Sequence, residues 1–162
     1  MIDLTLGGSA PAVANGAAQT GAFKEIAALP QIDARDIDGG RVESKEMAGR
    51  VVIVEFWATW CGPCRSTLGW LGEVKKRYGD RVEALAVAVE SEEPETRKLI
   101  KSIERPPRVV MGTEELAASF GGIAGVPTMF VFDRQGRAAT VFYGAPEDLH
   151  TKADQLLNSL LK

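Results

Sequence analysis

Cysteine is scarce in this chain: two residues among 162, both within Trp60-Cys61-Gly62-Pro63-Cys64. Two cysteines cannot build a disulfide framework, and a bridge closing so short a loop constrains the unfolded chain very little. Histidine is scarcer still, with His150 alone and distant from the cysteines. A structural zinc site wants four ligands, so this chain could complete one only by sharing the pair across a dimer. Charge of one sign is also lacking: 19 basic and 22 acidic residues give a net charge of −3, with no Lys/Arg block. Nothing in that balance attracts nucleic acid or an acidic membrane surface. No run of 18 or more apolar residues occurs, and the N-terminus shows no basic segment followed by an apolar one. Neither a membrane-spanning helix nor an intact signal peptide is expected, and an export segment would have to have been removed upstream.

What is present is an apolar supply, 45% of residues, large enough for the core of one domain. That domain is expected over residues 30–162. Residues 1–29 form an expected flexible leader, because 7–22 are small and offer few anchoring side chains. Ile32–Asp36 and Arg41–Glu43 flank Asp38-Gly39-Gly40 and predict a hairpin, with Ser44 capping a short turn after it. Val51–Ala58 is apolar at nearly every position, as in a strand covered on both faces, and a helix is predicted from Gly62 to Tyr78 before Gly79. A second buried strand, Val82–Val89, precedes a helix opened by Pro94 at its first position and running to about Ile103. Arg108–Met111 follows the Pro106-Pro107 break, and Glu114–Phe120 is a short helix stopped by Gly121-Gly122. Thr128–Phe132 and Arg137–Tyr143 predict a second hairpin. Pro146 opens a last helix with Leu149, Ala153, Leu156, Leu157 and Leu160 on one face. The order implies an α/β domain with a mixed central sheet and helices on both faces.

A C-x-x-C at the junction of a buried strand and a helix places a thiol over unpaired N–H groups at the positive end of the helix dipole, which favours the thiolate. The pair is therefore expected to open and close in redox chemistry; a metal site shared across a dimer and an inert surface pair are the alternatives. Glu55 lies in the middle of the apolar strand, six residues before Cys61. Buried there, its carboxyl should have a raised pKa, since desolvation disfavours the charged form; the alternative is a strand-end glutamate reaching water. Phe56 and Trp57 are expected in the core and His150 on the surface. Glu90, Glu92, Glu93 and Glu95 read as a solvated helix start, with selection of basic partners as the alternative.

Val-Ile-Val-Glu-Phe-Trp-Ala-Thr-Trp-Cys-Gly-Pro-Cys over 52–64, together with Gly125-Val126-Pro127-Thr128, resembles the thioredoxin superfamily. The early hairpin, the central insertion around 91–111 and the segment Phe120–Gly136 resemble its TlpA/ResA-like thiol-disulfide oxidoreductases, over about residues 30–161. The resemblance implies a thioredoxin fold with an N-terminal β-hairpin and a central insertion. It implies that Cys61 is the attacking and Cys64 the resolving thiol, with Glu55 as general acid/base for Cys64. It also implies a cis peptide bond before Pro127, exposing the Val126 backbone as an edge for a partner strand, with Trp60, Gly62 and Pro63 at the contact surface. Two positions depart from the group: Thr67 stands where many members have glutamate, and Gly69 where a helix-kinking proline is usual. With that acid missing, the pH dependence should be closer to thioredoxin than to the cytochrome-maturation branch.

The function so implied is exchange of the Cys61–Cys64 disulfide with protein disulfide or dithiol partners, in the reducing direction because Gly62-Pro63 matches thioredoxin. An upstream electron-donating thiol protein would recharge it, with no cofactor, no metal, no nucleic acid and a monomeric state. The resemblance to exported members implies a periplasmic or other extracytoplasmic site, with a membrane tether outside this chain, and a cytoplasmic site as the alternative. The different-class reading is a peptide- or metal-binding module without turnover. A peroxide-reducing enzyme of the same fold would carry P-x-x-x-T-x-x-C, and Thr59 sits only two residues before Cys61.

Overall fold

The computed structural model describes residues 26–162. Strands β1 (Asp33–Arg35) and β2 (Arg41–Glu43) pair antiparallel around Asp36–Gly40, forming the expected hairpin as a separate two-stranded sheet. A 3₁₀ turn, Ser44–Met47, leads to β3 (Val51–Trp57). Helix α1 (Cys64–Tyr78), β4 (Val82–Ala88), α2 (Glu93–Lys101), β5 (Arg108–Met111) and α3 (Glu114–Ser119) follow. The chain closes with β6 (Thr128–Phe132), β7 (Ala138–Tyr143) and α4 (Leu149–Leu160). The five-stranded sheet has the order β5-β4-β3-β6-β7, with β3, β4 and β5 parallel and β6 antiparallel to both β3 and β7. A mixed sheet with β3 at its centre is thus built as the sequence pattern implied.

Alternation along β3 divides the core. Val51, Ile53 and Trp57 join Leu68, Leu71 and Val74 of α1 and Ala153 and Leu157 of α4 on one face. Val52, Val54 and Phe56 join the hairpin residues Ile32 and Val42, and Phe120 after α3, on the other. Phe56, Phe120 and Phe130 meet there edge to face or tilted, with ring centroids 5.0–5.9 Å apart. On the α1 face β4 presents Ala84, Ala86 and Ala88, and such small side chains let a helix settle close to the sheet. Gly72 of α1 does the same toward the loop after α2: a Cβ there would lie 1.6 Å from the Arg105 carbonyl oxygen.

Several boundaries differ from the sequence reading. Helix α1 begins at Cys64, with Gly62 and Pro63 in the preceding turn, so the two cysteines straddle the helix start. Pro94 is the second helical residue of α2, after Glu93, where the missing N–H of proline is equally harmless. Helix α4 starts at Leu149, because Pro146–Leu149 closes a separate turn through Leu149 N–H to the Pro146 carbonyl. Ser44 does not cap its turn; its hydroxyl accepts the Ile32 amide and ties β2 to the segment before β1. Residues 26–29, read as the end of the leader, pack on the domain: Ile26 is buried and Ala28 bridges Arg137 at the β7 edge. The rest of the expected leader, residues 1–25, lies outside the described residues. At the opposite edge, Asp36 bridges Val110 of β5, and Arg108 donates from Nε to Asp36 Oδ2 at 2.8 Å.

Candidate active site

The site forms at the carboxyl ends of the parallel strands β3 and β4. The loop leaving β3 is pinned to the loop leaving β4: the Thr59 amide donates to Ser91 Oγ at 2.9 Å, and Ser91 Oγ donates to the Val89 carbonyl. The Trp60 indole donates to the Glu90 carbonyl at 3.1 Å, and Glu90 is the one non-glycine at positive φ among the described residues. Trp60 is thereby held with 64% of its surface exposed, the one large apolar side chain so placed among them. Phe56 and Trp57 are core residues, as expected.

Cys61 and Cys64 are joined as a disulfide with Cα atoms 5.4 Å apart. Their surroundings differ. Cys61 is 8% exposed, in the turn between exposed Trp60 and exposed Gly62, while Cys64, the first residue of α1, is 1% exposed. The first-turn amides of the 15-residue helix provide the partial positive charge that favours a thiolate at this end. The Val126–Pro127 peptide bond is cis. Pro127 is buried, and Val126 packs partly buried against the cluster that contains both cysteines. Beside Trp60 a groove of about 530 Å³ runs between Thr59, Arg65, Glu95, Lys98, Leu99 and Ser102, walled by α2 of the central insertion.

Glu55 points to the α1 side of the sheet and is fully buried. Ala86 and Met129 oppose it on the neighbouring strands. Its Oε2 accepts from Thr67 Oγ1, while Oε1 has no hydrogen-bond partner. Burial pushes its carboxyl up to about 8, and the Thr67 hydrogen bond offsets only part of that. Thr67 also contacts the Cys64 carbonyl oxygen through the same hydroxyl, at 2.9 Å, so one side chain links the buried acid to the first turn carrying the resolving cysteine. In the sequence Thr67 stood out only as a departure from the TlpA/ResA-like pattern. Its spacing of three from Cys64, which puts both on one helix face, was the available signal for this role.

His150 is not the free surface residue expected from sequence. Its ring stacks on Trp70 with centroids 5.2 Å apart and planes 5° from parallel, and its Nε2 is buried without a partner. Burial holds its pKa below the usual histidine range, against the opposing pull of Asp154. Glu90, Glu92, Glu93 and Glu95 are all exposed, and Glu93 pairs with Arg97 one turn on. Among the described residues no group of three or more His, Cys, Asp or Glu is arranged to hold a metal ion.

Residues 27–140 match the family model described as AhpC/TSA family, which covers well over half of the chain. The chain belongs to the AhpC/TSA family. This AhpC/TSA member is similar to a thiol-disulfide oxidoreductase ResA of Bacillus cereus, at 25% identity over 118 residues, 71% of this chain and 67% of that protein. ResA of Bacillus subtilis (strain 168) is 27% identical over 116 residues, 71% of this chain and 65% of the relative. The matched region thus spans about two thirds of the length of these relatives. Among solved structures, a thiol:disulfide interchange protein of the thioredoxin family from Chlorobium tepidum TLS superposes with a TM-score of 0.76 at 30% identity, covering 84% of this chain and 97% of that one. The likenesses and the joined Cys61–Cys64 pair make the chain a thiol-disulfide oxidoreductase of thioredoxin fold.

Proposed function

We propose that this oxidoreductase reduces protein disulfides through a mixed disulfide on Cys61 that Cys64 resolves, with Glu55 exchanging the Cys64 proton. The carrying observation is the asymmetry of the joined pair, Cys61 at 8% exposure between exposed Trp60 and Gly62, and Cys64 at 1% exposure beside the Glu55–Thr67 contact. In the reducing half-reaction the Cys61 thiolate attacks a partner disulfide. A Cys61–partner S–S bond forms, the partner's own S–S bond breaks, and the released partner thiolate takes a proton from water. Cys64 then gives its proton to Glu55 and attacks the Cys61 sulfur. The Cys61–Cys64 bond forms as the Cys61–partner bond breaks, and the partner leaves as a second thiolate that takes a proton from water, having gained two electrons in all. Recharging reverses these steps with an upstream electron-donating thiol protein: its thiolate attacks Cys61, and the departing Cys64 sulfur takes a proton from Glu55. At a pKa of about 8 the acid is mainly protonated near neutral pH in the oxidised protein, the state that this half-reaction consumes.

Gly62-Pro63 supports the reducing direction, since the attacking thiols of such motifs titrate between about 3.5 and about 7 and the thioredoxin dipeptide belongs at the upper end. Trp60, Gly62 and Pro63 form the contact surface, and the backbone of Val126 beside Pro127 offers the edge along which a partner segment pairs. The enzyme works as a monomer, without cofactor or metal. The resemblance to exported TlpA/ResA-like proteins supports a place outside the cytoplasm, in the periplasm or tethered to a membrane, and cytochrome c biogenesis as the process served. No helix among the described residues is long and apolar enough to cross a membrane.

The test is a titration of the purified protein in defined thiol/disulfide buffers, read by thiol alkylation and tryptophan fluorescence. A potential near about −270 mV supports the reductant, and one near about −120 mV overturns it in favour of an oxidant. Absence of a reversible two-electron transition overturns the enzyme reading and leaves a peptide- or metal-binding module.

A further inference from the structure

We propose that the groove beside Trp60 is a second contact site for the protein partner, selecting a segment that carries an apolar side chain and a carboxylate next to the partner's disulfide. The inference rests on the proposed attack of Cys61 on protein disulfides and adds which partners that attack favours. The groove is continuous with the reactive pair. Thr59 and Trp60, which directly precede Cys61, form one wall, and Arg65, which directly follows Cys64, stands on another. A partner segment joined to Cys61 therefore needs only a few residues, at about 3.3 Å each when extended, to enter it.

One face of α2 supplies the rest of the groove. Glu95, Lys98, Leu99 and Ser102 follow the spacing that a helix presents to one side. Leu99 is half-buried against the core and gives an apolar floor, and Trp60 gives an apolar wall. Trp60 does not fold down onto that floor, because its indole is held by the Glu90 carbonyl. Glu90 itself adopts φ 46°, a left-handed conformation that a side chain with a Cβ takes only at a cost. An aromatic ring kept in the open by such a backbone leaves water only when a partner covers it, which is how contact residues of this type contribute most. The groove is thus formed before the partner arrives.

The charges on the rim decide the occupant. Arg77 of α1 and Arg97 of α2 pair with Asp154 and Glu93, and Arg105 after α2 pairs with Glu73. Arg65 and Lys98 are in no ion pair among the described residues. Arg65 donates to Ser102 Oγ, and Ser102 donates in turn to the Leu99 carbonyl at 2.6 Å. The guanidinium is anchored across the groove while the rest of its five N–H donors stay available. Arg65 also stands in the first turn of α1, which holds no acid and where the positive end of the helix dipole opposes a cation. A carboxylate bound there is favoured by the guanidinium and by the dipole together. Glu95 is the one acid lining the groove, and it lies seven residues before Ser102, about 10 Å along the helix axis, with Lys98 between them. The Arg65 end is therefore cationic, and a basic segment would meet two like charges. An acidic and apolar segment fits, with its apolar side chain on Leu99 and Trp60.

The experiment measures how fast the reduced protein reduces four synthetic peptide disulfides. Each is a symmetric dimer of a peptide whose single cysteine is flanked on both sides by Leu and Asp, Leu and Ser, Leu and Lys, or Gly and Asp. The reaction yields two peptide thiols and the Cys61–Cys64 disulfide, and the thiols are separated after an acid quench. Each rate is divided by that of dithiothreitol on the same dimer, which removes the peptide's own reactivity. The Leu/Asp dimer should be reduced about tenfold faster than Leu/Ser, since two exposed charge pairs contribute about two- to fivefold each. The preference should fade as salt approaches about 1 M, where charges act over only about 3 Å. Leu/Lys should be slower than Leu/Ser, and Gly/Asp about threefold slower than Leu/Asp, for the lost apolar contact. Arg65→Gln and Lys98→Gln should each lower the Leu/Asp to Leu/Ser ratio about threefold, and Arg65→Glu with Lys98→Glu should put Leu/Lys ahead. A change in Cys61 reactivity moves all four dimers alike and cancels in these ratios. Equal ratios in wild type, or Leu/Lys fastest, overturn the groove as an acidic-segment site and leave the oxidoreductase standing. A Leu/Asp preference that survives both glutamine variants places recognition elsewhere and overturns it too, as does a Gly/Asp dimer as fast as Leu/Asp. Reduction of none of the dimers overturns the attack by Cys61, and the groove proposal with it.

Discussion

Glu55→Gln should make this protein more stable relative to wild type as pH rises, by an amount set by one buried carboxyl. Glu55 titrates at about 8 in the folded chain against an ordinary value of 4.5, because burial disfavours its charged form. Between those values the folded state keeps a proton that the unfolded state has released, so unfolding becomes easier with each increment of pH. The favourable contribution of the neutral acid is complete below pH 4.5 and is lost as pH rises through about 8. At about 1.4 kcal/mol per pH unit the full span corresponds to about 5 kcal/mol, and the part accumulated by pH 7 to about 3 kcal/mol. Glutamine has nearly the same shape and does not titrate. The stability difference between variant and wild type should therefore climb across this window and level off above it, whatever constant offset the amide brings. Urea unfolding of both oxidised proteins at intervals from pH 4.5 to 9 measures the difference, in which titrations common to both chains cancel. A difference that stays flat within about 0.5 kcal/mol would refute the argument, because it would mean that the carboxyl reaches water or a cation and titrates normally.

Cys64→Ser should accumulate a disulfide-linked adduct with partner proteins under oxidising conditions, and Cys61→Ser should form none; equal adducts from both variants would sink the assignment of Cys61 as the attacking thiol. Gly72→Ala should cost about 3 kcal/mol, since its Cβ would meet the Arg105 carbonyl oxygen at 1.6 Å and backbone must move; a loss below about 1 kcal/mol in denaturant unfolding would show that α1 and the loop do not approach so closely. Burial pushes the Asp36 carboxyl up, yet Arg108 and the amides of Gly40 and Asp38 outweigh it and hold the pKa below the usual range. That contribution is full above the ordinary carboxylate value and is lost as pH falls through the lowered one, so Asp36→Ala should cost about 2 kcal/mol at pH 7 and progressively less in acid; an acid-independent loss would contradict the ion pair. Peroxide consumption with dithiothreitol as reductant should stay at background, because Thr59 is misplaced for the peroxide signature; turnover that disappears in Cys61→Ser would reverse that reading.

The sequence alone carried the secondary-structure order and the reactive pair. Val51–Trp57 and Val82–Ala88 announce buried strands because every position is apolar or small apart from Glu55 and Glu83, a pattern that survives only where both faces are covered. The C-x-x-C is legible because its chemistry requires only local spacing at a strand-to-helix junction. Glu55 was legible as an anomaly, one acid in an apolar run. Its partner was not, because the Glu55–Thr67 contact depends on how α1 lies across the sheet, which Ala84, Ala86, Ala88 and Gly72 decide together. The same holds for His150, whose place beside Trp70 follows from docking α4 against α1. Helix starts slipped by one to three residues, since Pro63 and Pro146 begin turns whose continuation as helix depends on surrounding hydrogen bonds. Sequence periodicity fixes which side of each element faces inward. Tertiary packing decides which inward groups touch, and the setting of a buried acid is made entirely of such contacts.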